Sequence, residues 1–146
     1  MSANLHDERR KVSTAELFAR SLVLFTYIYV LFWLSLTSNP PQISGVLGWD
    51  KLQHAGAYGL LSLLIVQFFS CLFGSLSDKT WWYAGLAAVA YGALLEILQL
   101  VALTGRTAEW GDLFADAVGA FLSCVIFRQA CLLYSRHYGH SGTQDG

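Results

Sequence analysis

Asp50-Lys51-Leu52-Gln53-His54-Ala55-Gly56-Ala57-Tyr58 runs without a break into an apolar segment from Leu60 to Phe73. Written as a helix, it places Asp50, His54 and Tyr58 at i, i+4 and i+8, so three hydrogen-bonding side chains share one face. A polar stripe that enters twenty-odd oily residues reads as the mouth of a membrane-crossing helix.

The rest of the chain agrees with that reading. It has 146 residues, 55% of them hydrophobic and 13% charged, with a mean hydropathy of +0.46, outside the range of soluble domains of this size. Four apolar runs, Leu17–Leu36, Leu52–Phe73, Trp81–Leu103 and Leu113–Tyr134, each approach the roughly 20 residues that a bilayer requires. Three short connections join them, carrying Pro40, Pro41, Gly45 and Gly48, then Gly74 and Asp78, then Gly105 and Gly111. The expected architecture is an all-α, four-span bundle over residues 17–134, with polar tails at 1–16 and 135–146. The first run is too long for a signal-peptide core, and a turn at Ser38-Asn39-Pro40-Pro41 follows it in place of a cleavage site, so it is expected to be retained.

The distribution of basic residues sets an expected orientation. Arg9, Arg10, Lys11, Arg20, Lys79, Arg128 and Arg136 flank one side of the four crossings, whereas Lys51 and Arg106 flank the other. That bias predicts two cytoplasmic termini. Asp50, His54, Tyr58, Glu96, Gln99, Arg106, Glu109, Asp112 and Asp116 then belong to the opposite, extracytoplasmic end. Trp33, Trp49, Trp81, Trp82 and Trp110 fall near predicted span ends, as interfacial tryptophans do. Ala84, Gly85, Ala88 and Gly92 in the third span, and Gly119, Ala120 and Ser123 in the fourth, permit close helix approach in lipid.

Several function classes are excluded or unsupported. A net charge of −1 gives no bulk attraction for nucleic acid. Cys71, Cys124 and Cys131 lie in apolar segments with no metal or redox spacing, and read as small hydrophobes. Serine-nucleophile, P-loop and zinc-protease motifs are missing. Asp50, Glu96, Asp112 and Asp116 are hard oxygen donors, but no recognised metal spacing joins them, so neither metal nor cofactor is expected.

Each polar group has two readings. Glu96 lies about 10 Å below the end of its span at 1.5 Å per residue, where an ionised carboxylate costs on the order of 2–3 kcal/mol; it either pairs helices or serves a site. Asp50 and Asp112 could cap helices and Lys51 could snorkel. His54, whose ordinary pKa lies nearest neutrality, is the best proton-transfer candidate, with Glu96 and Tyr58 beside it. Arg106 and Lys51 suit an anionic group, with Gln99, Asp50, Asp112 and Asp116 as further binding candidates. Few polar groups beyond Gln67 and Ser70 occupy the other half, which disfavours a proton-coupled transporter. His6, His137 and His140 lie in the expected tail regions and receive no role.

In order along the chain, Asp50-Lys51-x-x-His54-x-x-x-Tyr58, Glu96-x-x-Gln99, Arg106 followed at the sixth position by Asp112, and Asp112-x-x-x-Asp116-x-x-Gly119 resemble the VanZ-like family of small bacterial membrane proteins. The likeness covers about Trp49 to Ala120 and the first span, with Asp116 standing where that pattern usually ends in Asn. The resemblance implies a bacterial plasma-membrane protein associated with resistance to lipid-anchored glycopeptides such as teicoplanin. The expected ligands are membrane lipids or a lipid-linked envelope precursor. Whether a reaction is catalysed stays open, as does association with a second copy or another membrane protein. The rival reading is a scaffold whose polar network fixes helix register.

Overall fold

A computed structural model describes residues 12–37, 50–74, 76–101 and 109–139. Arg106, Trp49 and the basic group Arg9, Arg10 and Lys11 lie outside the described residues. Four helices account for nearly all of the rest: α1 (Thr14–Leu36), α2 (Asp50–Phe73), α3 (Asp78–Val101) and α4 (Trp110–Gly139). Each is long and apolar enough to cross a membrane, and no strand occurs among the described residues. The fold is therefore an all-α membrane bundle.

Local chemistry explains the helix starts. The Ser13 hydroxyl accepts from the Ala15 N–H at 3.3 Å, and the Ser77 carbonyl accepts from the Thr80 N–H at 3.0 Å. The Glu109 carbonyl likewise receives the Asp112 N–H at 3.0 Å. These partners satisfy N–H groups that a first helical turn leaves open. Helix α4 continues to Gly139, beyond the apolar limit at Tyr134, and carries Arg136 and His137 in its last turn. Positive charge is favoured there by the negative end of the helix dipole.

Polarity is distributed inside out. Phe18, Phe25, Leu86 and Leu122 are exposed on the outside of the bundle, whereas Ser62, Gln99, Glu96 and Asp116 are buried. Apolar surface of that extent is untenable in water and appropriate in lipid. Helix α2 is central, touching the other three, whereas α1 lies against α2 and α3 without approaching α4.

The closest approach is between α2 and α4. A methyl group added at Gly119 would be driven into the backbone of Ala55, with its Cα only 2.5 Å away. Ser62 strengthens the same seam, its hydroxyl lying 2.7 Å from the Gly59 carbonyl and 3.1 Å from the Ala120 carbonyl. Tyr27 donates to the Ala57 carbonyl at 3.0 Å, and Tyr91 donates to the Ile28 carbonyl at 2.8 Å, tying α1 to both α2 and α3. Interhelical bonds of this kind contribute about 0.6 kcal/mol on average in membrane proteins.

Candidate functional site

The contacts fix which ends lie together. Lys51 at the start of α2 reaches Glu109 and Asp112 at the start of α4, and Gln99 near the end of α3 reaches Ser35 near the end of α1. Every described candidate residue is at that one end. At the other end, Arg20 joins Glu16, Gln67 and Ser70, and Arg128 pairs with Asp78.

The centre of the site is an imidazole held by a buried acid. His54 Nδ1 lies 2.9 Å from Asp116 Oδ1. Asp116 is only 1% exposed, whereas the His54 side chain retains 18% exposure. The seam at Gly119 creates this pair, because it brings the second turn of α2 against the third turn of α4 at Ala55. With Asp116 ionised, its carboxylate can only accept, which selects the Nδ1–H tautomer of His54 and leaves Nε2 to receive a proton. Nε2 faces Asp112 Oδ2 at 3.6 Å and Asp50 Oδ1 at 4.0 Å. Both spacings exceed a hydrogen bond and can be bridged by a third polar atom.

Tyr58 lies one turn deeper, with its ring nearly parallel to that of His54 at a centroid separation of 6.4 Å. Gly92 on α3 makes room for both Tyr58 and Asp116. A Cβ there would lie 2.6 Å from Asp116 Oδ2 and 3.0 Å from Tyr58 Cε1. Tyr58 is 5% exposed. Among the described residues its hydroxyl has no hydrogen-bond partner, an unusual condition for a buried polar group.

Lys51 is enclosed. Its ammonium bonds Asp112, lies 2.9 Å from Glu109 Oε2 and approaches Asp50 Oδ2 at 3.6 Å. Three carboxylates around one cation leave little of it for gripping an anion. Glu96 accepts the backbone N–H of Glu109 at 3.0 Å, so it also supports the start of α4. Gln99 turns towards α1, where it donates to the Ser35 carbonyl at 3.0 Å and the Ser35 hydroxyl at 2.8 Å. That gives the buried amide a helix-joining contact away from His54.

Asp50, His54 and Asp112 each offer one ligand atom, all within 4.8 Å of one another. A divalent ion there would have to displace the Lys51 ammonium from Asp112 and Asp50, which already supplies positive charge at that spot. The group is formed across two helices, which is why no short spacing announces it.

Two features have no role in the sequence reading. Glu109 bridges Lys51 and Glu96, and its only sequence signal is its position three residues before Asp112. An apolar cleft of about 300 Å³ between α3 and α4 is bordered by Glu96 and Glu109; nothing in hydropathy marks it, because its walls are ordinary lipid-facing residues.

The class that fold and site define is a four-helix membrane protein with a part-buried histidine held by a buried carboxylate at one end. Comparison with family models, with curated proteins and with solved structures returns no match.

Proposed function

We propose that the chain is a VanZ-like protein of the bacterial plasma membrane, both termini cytoplasmic, whose polar end faces outward and binds or modifies the headgroup of a lipid or lipid-linked envelope intermediate. The observation that carries this reading is the His54–Asp116 pair, 2.9 Å long and anchored by a carboxylate 1% exposed. A histidine oriented through one nitrogen by a buried acid, with the other nitrogen towards Asp112 and the exposed Asp50 carboxylate, is arranged to transfer protons. His54 takes that role, Asp116 orients it, and Tyr58 and Glu96 supply further proton-bearing groups. The outward direction is supported by the placement of Arg20, Lys79, Arg128 and Arg136 away from this end.

Altered headgroup chemistry or shielding would change susceptibility to teicoplanin-like compounds, as the sequence resemblance implies. The test replaces His54 by Ala and Asp116 by Ala, follows folded yield by size-exclusion chromatography, and compares lipid profile and teicoplanin susceptibility. Loss of both phenotypes from well-folded variants supports the proposal; unchanged phenotypes refute it.

The scaffold reading draws on the Gln99–Ser35, Tyr27–Ala57 and Tyr91–Ile28 bonds, in which polar groups simply join helices. It predicts that His54→Ala lowers folded yield in proportion to any phenotype.

A further inference from the structure

The cleft between α3 and α4 has a charge character that its surroundings do not. Its walls include Ile97, Leu100, Trp110 and Leu113, with Glu96 and Glu109 as the ionisable members. Ile97, Leu100 and Trp110 are exposed on the outside of the bundle, so the cleft opens sideways towards lipid. Its volume of about 300 Å³ is at the lower end of ligand sites, which span roughly 300–1,000 Å³.

The two acids connect the cleft to the rest of the site. Glu96 is bonded to the Glu109 backbone, and Glu109 in turn to Lys51. Glu109 has Lys51 as its positive partner, and Lys51 is shared with Asp50 and Asp112. Glu96 accepts the Glu109 N–H and has no ion-pair partner among the described residues, and a carboxylate beside an apolar cavity needs a proton or a positive partner. An anionic headgroup set against Glu96 would be repelled by it, and a hydrated metal ion would gain nothing from walls of Ile, Leu and Trp.

We infer that the α3–α4 cleft admits the chain of an amphiphile bearing a cationic amino group, with the amine held against Glu96 at the rim that Glu109 completes. The bilayer delivers such a ligand laterally, tail first along Ile97 and Leu100, and the acids select the positive head. This rests on the reading of the polar end as a ligand site and narrows its ligand from lipid headgroups in general to amine-bearing ones. It also reverses the ligand charge expected from Arg106 and Lys51.

The test uses the full-length chain in phosphatidylcholine nanodiscs with three photoreactive probes of one chain length: an alkylamine, an alkanol and an alkylphosphate. Adducts at residues 93–100 and 110–113 are counted against those on the lipid-facing side of α1 in the same sample. The amine is expected to label the cleft at least about fivefold more than either other probe, a selectivity of the size one charge pair gives at a partly desolvated site. Glu96→Gln should bring it to the alkanol level, and Leu100→Trp, at a lipid-facing position, should block all three. A tenfold excess of ethanolamine, which lacks a tail, should not compete. Equal labelling by all three probes, preference for the phosphate, full competition by ethanolamine, or cleft labelling untouched by both substitutions would each overturn the inference. His54→Ala separates the two readings: it should leave amine labelling intact while abolishing the lipid and susceptibility phenotypes. Selective labelling without such phenotypes in the wild type refutes the proposed function alone, and phenotypes without selective labelling refute the inference alone.

Discussion

Gly119→Ala is the sharpest probe of how packing makes the site. The added methyl would overlap the Ala55 carbonyl oxygen and lie 2.5 Å from Ala55 Cα, whereas ordinary contact begins at 3.4 Å, so α2 and α4 must separate locally by at least about 1 Å at a seam built on close approach. Overpacking of this kind costs about 1–3 kcal/mol, which for a chain of this size lowers the melting temperature by about 3–10 °C. The same separation lengthens the 2.9 Å His54–Asp116 bond towards about 3.9 Å, beyond hydrogen-bonding range. Both effects can be read in one preparation. Thermal unfolding in nanodiscs gives the stability loss, and the imidazole nitrogen resonances, assigned against His54→Ala, report the loss of the fixed tautomer. Gly56→Ala is an internal control on the same helix, since nothing lies within 4 Å of its added methyl; it should be neutral or stabilise by up to about 1 kcal/mol. An unchanged melting temperature and unchanged His54 resonances in Gly119→Ala would refute the reasoning, because the helices would then have space that the geometry denies them.

Asp116→Ala removes the acceptor that orients His54, so the lipid phenotype should fall at least about tenfold at near-normal folded yield. Combining it with His54→Ala should cost no more than His54→Ala alone, as residues acting as a unit behave; additive losses in a lipid-profile assay would contradict the pairing. Tyr91→Phe and Gln99→Leu each remove helix-joining bonds and should lower stability by about 0.5–1.5 kcal/mol in denaturation, and Tyr91→Phe should leave the lipid phenotype unchanged. Lys51→Met withdraws the resident ammonium from Asp50, Glu109 and Asp112. Micromolar zinc should then raise the melting temperature of that variant more than that of the wild type, because Asp50, His54 and Asp112 converge within 4.8 Å; an equal zinc response in both would show that Lys51 does not occupy the acids.

The sequence shows some of these relations clearly and hides others. Asp50, His54 and Tyr58 are recognisable as one face from spacing alone, and α2 does begin at Asp50. The alternation of spans puts Glu96 level with His54, and both do lie at the same end of the bundle. Their partners are another matter. His54 meets Asp116, whereas Glu96 supports the Glu109 backbone. Lys51 looks like a free cation in the chain but is taken up by Glu109 and Asp112, at the start of a helix some sixty residues later. Gln99 reads as a neighbour of Glu96 three residues on, yet its amide reaches α1.

Depth is legible along the chain: where each helix enters and leaves the apolar layer, and hence which polar groups share an end. Direction around each helix axis, and with it every pairing and the lateral cleft, is set only when the helices pack. Hydropathy is a one-dimensional record along the membrane normal. In lipid, no hydrophobic gradient distinguishes one apolar helix face from another. Rotation is set by where backbones can touch, and here the contact of Gly119 with Ala55 turns Asp116 towards His54.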